Sequence, residues 1–475
     1  MLRWRFSVLL GLLWCVLLST PSHALPVFAP RQLPSAMAGA TDPSVAAIVY
    51  NPAALGLLRG RSFYFEGGLR VGTLDVKLDG FESQKARYVS PDGFVGLTAN
   101  LGDRVTLAIA THMPLTDVAR LPQGLSRFAE RNDFVVLQET IAVGFRVSNR
   151  FTIGASFSIA EAWGDLRFDR DVAPSGGSAL IDQPSELCGQ AACGYNNPLA
   201  RQKLAGSGFR WGLGFGVGIL GRPIDGLWLA INYQSRIFNG ASSGDLTLFD
   251  YRGAGATPAP GQKVDCASGG GRCRGNARLQ MPIPNLLSVA ARVMLPRTLE
   301  LELGFRWINY GANPTREVLL QGGTLDNLAQ PTAAALPVRF LFDRGLQDAF
   351  LASVALRVDV MRRFRLQPYL AYESPAVARS RNQPASLDGH KVDLSLVFEA
   401  KLTNRVHLTG HVGVTAHALG RIDSAFSSQH ETTCVDGGYA LSACLDRVGG
   451  RAWPSASGAY VFVVPHVGLG FDIAF

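Results

Sequence analysis

The chain has 475 residues, 47% of them hydrophobic and 17% charged, with a formal charge of +8. Its Lys and Arg residues are scattered without a basic block, which argues against nucleic acid as a partner. Beyond the amino terminus no apolar run approaches the ~20 residues a membrane helix needs, and helical periodicity is almost absent.

Arg3 and Arg5 precede an apolar stretch from Phe6 to Ser19, followed by Ser22-His23-Ala24. This predicts a signal peptide over residues 1–24, cut after Ala24. Cys15 is not expected to carry lipid, because bulky Trp14 stands where such sites place a small residue. Residues 25–61 are neither strand-like nor strongly charged. Their small apolar residues are those of a compact plug, and Asn51-Pro52 favours a turn.

From Ser62 to Phe475 the pattern changes to period two, which is that of strands with two different faces. Phe209, Trp211, Leu213, Phe215, Val217 and Ile219 alternate with Gly208, Arg210, Gly212, Gly214, Gly216 and Gly218. A membrane barrel turns the bulky face to lipid and the small face to its lumen. Short turns are expected at Gly102-Asp103, Ser148-Asn149, Arg222-Pro223, Pro296-Arg297, Met361-Arg362 and Thr403-Asn404. They alternate with long polar stretches near 79–91, 114–132, 169–206, 239–278, 311–346, 375–389 and 420–456. Six turns and seven loops require fourteen strands. The expected fold is therefore an all-β, 14-stranded antiparallel transmembrane barrel with an N-terminal plug. It belongs in the outer membrane of a Gram-negative bacterium.

Phe151, Phe364 and Phe475 fall at the turn ends of strands, and Trp163, Tyr233, Trp307 and Tyr372 toward the loop ends, as two aromatic girdles. Pro465 falls inside the last strand, and Pro282 and Pro284 inside the eighth, where a ladder donor is lost. The chain ends Val467-Gly468-Leu469-Gly470-Phe471-Asp472-Ile473-Ala474-Phe475. This alternation up to a terminal aromatic resembles the signal read by the barrel-assembly machinery. Cys188 with Cys193, Cys266 with Cys273 and Cys434 with Cys444 lie in three different long loops. Three loop-closing disulfides in an oxidising compartment are expected.

Several motifs are expected to carry no chemistry. Gly216-Val217-Gly218-Ile219-Leu220-Gly221 matches a dinucleotide fingerprint but lies inside one strand with no helix after it. Gly240-Ala241-Ser242-Ser243-Gly244 opens a polar loop rather than a strand-to-helix elbow. His407, His411 and His417 share one strand face, where residues four apart stand about 13 Å apart, too far to share a metal. They read as polar lumen lining. No cofactor, no metal and no catalytic activity are expected. By parity Arg210, Arg292, Arg306 and Arg357 also face the lumen. There they either contact a ligand or pair with Glu300, Glu302 or Glu399.

Asn51-Pro52-Ala53 just before the first strand, Phe305-Arg306-Trp307-Ile308-Asn309-Tyr310 and Ala371-Tyr372-Glu373-Ser374-Pro375 resemble the FadL-type transporters of long-chain fatty acids and related hydrocarbons. The resemblance spans essentially the mature chain, although the long loops match nothing familiar. It implies passive transport of a hydrophobic small molecule, a hatch over residues 25–61 containing Asn51, Pro52 and Ala53, and a monomer in the membrane. It also implies a lateral exit at a kinked third strand. With that strand expected near 104–113, the candidate kink is Thr111, His112, Met113 and Pro114. A different reading is a non-transporting surface adhesin whose disulfide-closed loops bind a partner.

Overall fold

In the computed structural model, residues 39–475 are described except 80–81, 123–124, 126–130, 172–183, 186–190, 193–200, 251–272, 280–282, 296–298, 312–314, 322–339, 344–345, 378, 380–381, 383, 385–386 and 423–455. One antiparallel sheet closes on itself as fourteen strands, four of them broken into two segments. The strands are β1 (Arg61–Leu78), β2 (Gln84–Leu101), β3 (Val105–Arg120), β4 (Arg131–Ser148), β5 (Phe151–Asp171) and β6 (Arg201–Ile224). Next come β7 (Leu227–Gln234 and Phe238–Asp250), β8 (Cys273–Leu279 and Asn285–Leu295), β9 (Leu299–Asn309 and Thr315–Gln321) and β10 (Phe340–Asp343 and Ala349–Met361). The last four are β11 (Phe364–Glu373), β12 (His390–Lys401), β13 (Val406–Ile422) and β14 (Gly458–Ala474). Each pairs with its neighbours in sequence, and β14 closes on β1 through pairs running from Ser62↔Ala474 to Leu78↔Gly458. Closure removes the open edges that a lipid environment would leave unsatisfied.

The period-two pattern decides which side each residue takes. On β6, Trp211, Phe215, Val217 and Ile219 are exposed on the outside, while Arg210, Gly212, Gly214, Gly216 and Gly218 are buried toward the lumen. Along β14, Val461, Val463, Val467, Leu469 and Phe471 are outward, and Tyr460, Phe462, Val464 and His466 inward. Phe151, Phe475, Trp163 and Tyr372 are exposed on the outer surface, at the ends expected of girdle residues. The fourteen-strand barrel read from the sequence is the fold observed.

The boundaries differ in instructive ways. Stretches expected as loops are partly strand: β1 and β2 remain paired as far as Val76↔Gln84, leaving a short hairpin where 79–91 was expected open. Strands β3, β5, β6, β7 and β8 likewise run on into 114–132, 169–206 and 239–278. Polar residues on a strand that has left the membrane meet water on both faces, so the apolar alternation fades while the ladder continues. The turn expected at Arg222-Pro223 lies instead at Asp225-Gly226, with Gly226 at φ 85°. Asp-Gly is a preferred two-residue hairpin turn, and Pro223 sits beside a register shift between Gly221 and Ile224. Pro284 lies in the break between the two segments of β8 rather than inside a strand, and Pro282 and the Pro296-Arg297 turn lie outside the described residues. Pro465 is in β14, where the register to β1 is unchanged on either side. Of the six loop cysteines only the backbone of Cys273 is described, so the three pairings lie outside the described residues.

Above the membrane belt, Leu74, Tyr88, Leu121, Leu125, Leu387, Tyr460 and Phe462 form a buried apolar cluster under the outer loops of β1, β2, β13 and β14. Beside it, Lys391 Nζ lies 2.5 Å from Glu373 Oε1 and 2.9 Å from Asp388 Oδ1. Asp388 in turn accepts the backbone N–H groups of Ala376 and Val377. Burial pushes its carboxyl up, against the pull of Lys391. Replacing Lys391 with Met strands two acids and is expected to cost about 3–5 kcal/mol locally. The 374–389 loop should then be cleaved by external protease in intact cells, whereas wild type resists.

Candidate ligand cavity and N-terminal segment

Residues 39–57 pack against the inner wall of the barrel. A single helical turn α1 (Ala47–Tyr50) and a 3-10 turn (Pro52–Leu57) are joined at Asn51, which is extended with φ −163° and ψ 98°. Proline after Asn51 favours that extended conformation and itself suits the first position of a helical turn. Asn51 is fully buried. Its Nδ2 donates to the Ala40 carbonyl at 2.7 Å and to the Ile219 carbonyl of β6 at 3.3 Å, and its Oδ1 accepts from Ala53 N–H at 3.1 Å. One amide thus fixes the segment to itself and to the wall. Asn51→Ala leaves those backbone groups without their partner and is expected to cost about 1–3 kcal/mol. Faster hydrogen exchange over residues 39–57, with the strands unchanged, is the expected readout.

The wall is shaped to receive this segment. A Cβ at Gly154 would lie 2.2 Å from the Pro52 carbonyl carbon, one at Gly218 2.0 Å from Asn51 Oδ1, and one at Gly144 2.5 Å from the Gly56 nitrogen. The small lumenal residues of β4, β5 and β6 are therefore space for the N-terminal backbone. Arg146 donates twice to the Gly56 carbonyl, at 2.8 and 3.0 Å, and Asn100 to that of Leu58 at 3.0 Å. Ala40, Val45, Ile48, Tyr50, Ala53 and Leu55 share one buried cluster with Tyr64, Phe94, Ala108, Ala142 and Leu220 of the wall.

Asp42 holds the other end of the segment. Its Oδ1 lies 2.8 Å from Arg357 Nη1 and 3.9 Å from Arg292 Nη1, and Glu300 Oε2 lies 3.7 Å from each guanidinium. Arg357 Nε also donates to Gln367 at 2.6 Å. Burial opposes ionisation of Asp42, yet Arg357 and Arg292 outweigh it and hold the carboxyl below its usual range. Two of the four lumenal arginines, Arg292 and Arg357, thus form ion pairs with the chain's own carboxylates, one of them Glu300. Glu399 instead meets Arg365 and His407. Asp42 is the only charged residue between Arg31 and Arg59, yet no local pattern assigns it these partners.

Arg306 sits elsewhere. Its Nε donates to Ser288 at 3.2 Å and its guanidinium lies 6.0 Å from the Tyr50 ring centre. Together with Ile48, Val49 and Tyr50 it borders a cavity of ≈ 40 Å³, completed by His112 and Pro114 of β3 and by Gln138, Thr140, Ser158 and Ile237. A cavity of about 150 Å³ is needed to hold benzene, so this space admits only a few waters until a wall moves. Arg210 is buried on the lumenal face of β6 and does not border this cavity.

The barrel wall is irregular at this cavity. Between His112↔Gln138 and Leu115↔Val136, β3 has Met113 and Pro114 where β4 has Leu137 alone. This is a bulge, in which an extra residue bends the strand, and Pro114 has no N–H to pair. On the other side, pairing with β2 stops at Phe94↔His112 and resumes at Val89↔Val118. Across that gap the Ser90 hydroxyl donates to the Thr116 carbonyl. The third strand, expected to end near Met113, continues to Arg120 because β4 remains its partner beyond the bulge. The remaining lumen is polar: His466 Nε2 lies 3.0 Å from Asp393 Oδ2, and His411 Nδ1 3.8 Å from Glu66 Oε1. His417 is buried on the same face. Among the described residues no group of three or more His, Cys, Asp or Glu is placed to hold a metal ion.

A closed fourteen-stranded barrel with an apolar outer belt, a polar lumen and residues 39–57 packed inside it defines an outer-membrane barrel protein. Residues 24–327, well over half the chain, match the family described as outer membrane protein transport protein (OMPP1/FadL/TodX). The protein belongs to this family and resides in the outer membrane of a Gram-negative bacterium, and an adhesin role is not favoured. Similar solved structures include a Pseudomonas aeruginosa FadL homologue (TM-score 0.69, 14% identity, covering 96% of this chain and 100% of that one). Others are the Pseudomonas putida toluene transporter TodX (0.61, 13%, 91% and 94%) and the Ralstonia pickettii toluene transporter TbuX (0.60, 14%, 95% and 99%). At such identities the likeness is one of fold. No curated protein sequence matches the chain.

Proposed function

We propose that this protein carries small hydrophobic molecules passively across the outer membrane, with long-chain fatty acids and aromatic hydrocarbons such as toluene as the first ligands to test. The observation that carries this reading is the cavity between Ile48–Tyr50 and the β3 bulge, at the gap in β2–β3 pairing. A ligand that displaces Ile48–Tyr50 leaves sideways at Thr111, His112, Met113 and Pro114 into the lipid belt, where Val95 and Ile109 are outward. Each CH₂ moved from water into such a path gains about 0.8 kcal/mol, so no energy source is needed. In this reading residues 1–24 are a signal peptide, 25–61 a hatch seated through Asn51, Pro52 and Ala53, and 62–475 the barrel. The three cysteine pairs close outer loops, the assembly machinery reads Phe475, and the protein works as a monomer without catalysis. In the same reading Arg306, which borders the cavity, contacts the ligand.

Uptake of radiolabelled oleate and of toluene by cells with and without the protein tests this. Saturable, protein-dependent uptake of either is expected. Equal uptake with a correctly assembled barrel overturns the reading.

A further inference from the structure

We infer that His112 recognises a polar atom of the transported molecule, so that the preferred ligands are neutral, hydroxyl-bearing hydrophobic compounds of the monohydric phenol type. This rests on the transport reading above and narrows its substrate class. His112 is the last residue of β3 paired to β2 before the ladder breaks, and it borders the bulge at Met113 and Pro114. Its side chain is 3% exposed and lines the cavity. The ring lies 6.4 Å from that of Phe94, an apolar wall, and interacts with the backbone of Gln138. Its Nδ1 is buried without a hydrogen-bond partner.

The neighbouring polar groups are differently placed. Thr140 and Ser158 hydroxyls bond each other at 2.9 Å, and Ser235 donates to the Arg236 carbonyl at 2.9 Å. A pure hydrocarbon entering here leaves Nδ1 as it is. A ligand hydroxyl satisfies it, because a neutral imidazole nitrogen either donates or accepts according to tautomer, as does a hydroxyl. The apolar body of the ligand then lies against Ile48, Ile237 and Ile283. Arg306 borders the same cavity and would favour an anion there, so the bias against a charged ligand arises at the exit, on the far side of the wall. Glu139, cross-strand partner of Thr111, is exposed on the outer face of β4. A ligand carboxylate leaving past it would meet a like charge in a weakly screening environment.

The experiment compares initial uptake of radiolabelled p-cresol, toluene and oleate at limiting concentration in cells producing the full-length protein, His112→Leu or His112→Gln. Heat-modifiability on gels confirms assembly of each barrel. Wild type is expected to take up p-cresol about tenfold faster than toluene, the effect of one hydrogen bond formed where none existed. His112→Leu should abolish the preference, read as the p-cresol-to-toluene ratio within the variant so that any general effect on the exit cancels. His112→Gln, whose amide both donates and accepts, should retain most of the preference. Equal wild-type rates for p-cresol and toluene, or a preference that survives His112→Leu, overturns the assignment, and the wild-type ratio decides even if His112→Leu fails to assemble. Oleate preferred over both overturns the neutral ligand class. No protein-dependent uptake of any of the three overturns the transport reading itself.

Discussion

Replacing Gly154 with Leu is expected to make cells producing the protein sensitive to large hydrophilic antibiotics while the barrel still assembles. The Cβ alone would lie 2.2 Å from the Pro52 carbonyl carbon and 2.3 Å from the Ala53 nitrogen, both of them backbone. Backbone cannot swing aside as a side-chain tip can, so the N-terminal segment must leave its seat or β5 must deform. Inserted volume in a packed interior costs about 1–3 kcal/mol, and contacts this short belong at the upper end. About 3 kcal/mol lowers the ratio of seated to unseated segment by roughly two orders of magnitude. The ladder is untouched, since Gly154 keeps its pairing with Gly144 and Gly218 through backbone atoms. Vancomycin sensitivity with an assembled, heat-modifiable barrel is the expected result. Gly102→Leu is the matched control for an added side chain, because nothing lies within 4 Å of a Cβ there, although its φ of 68° adds strain of its own. An assembled Gly154→Leu barrel that stays impermeable would show that the segment does not close the lumen.

The barrel was legible because a single rule, one face to lipid and one to the lumen, acts on every membrane-crossing strand. Val461, Val463, Val467, Leu469 and Phe471 obey it on β14 as plainly as the aromatic face does on β6. The rule fails where the physics that makes it fails. Arg87 and Lys85 of β2 lie beyond the belt, so polarity there said loop while backbone pairing with β1 continued. The Asn51 turn was legible because proline constrains the residue before it. Its partner on the wall was not, since Ile219 contributes only a carbonyl. Gly218 read correctly as part of a small lumenal face, but sequence periodicity cannot say what fills the space beside it, nor that Gly144 and Gly154 share that task. The arginines were placed on the right face by parity alone. That two of them meet Asp42 depends on a contact 315 residues apart for Arg357, which no local pattern encodes.

That long-range contact supplies the second large effect. Arg357→Ala is expected to loosen residues 39–57 more than Asp42→Asn does. Removing Arg357 leaves Asp42 and Glu300 facing Arg292 alone, at 3.9 and 3.7 Å, in a site where both guanidiniums are 9% exposed. Breaking a buried ion pair by removing one partner costs about 3–5 kcal/mol, because a charge remains without compensation. Asp42→Asn keeps a neutral group of the same shape and leaves Arg357 with Glu300 at 3.7 Å and Gln367 at 2.6 Å, so its cost is the smaller. The double variant Asp42→Asn with Arg357→Met should recover part of the loss, since neither charge is then stranded. Acid should act like Asp42→Asn. The carboxyl is held below its ordinary range, so its contribution is complete above the unfolded value of about 3.9 and is lost as pH falls through the lower folded value. Hydrogen exchange of peptides covering residues 39–57, at neutral pH and again below pH ~4, reads each of these. Protection that is the same in wild type and Arg357→Ala would mean that Asn51 and the glycine seat hold the segment without Asp42.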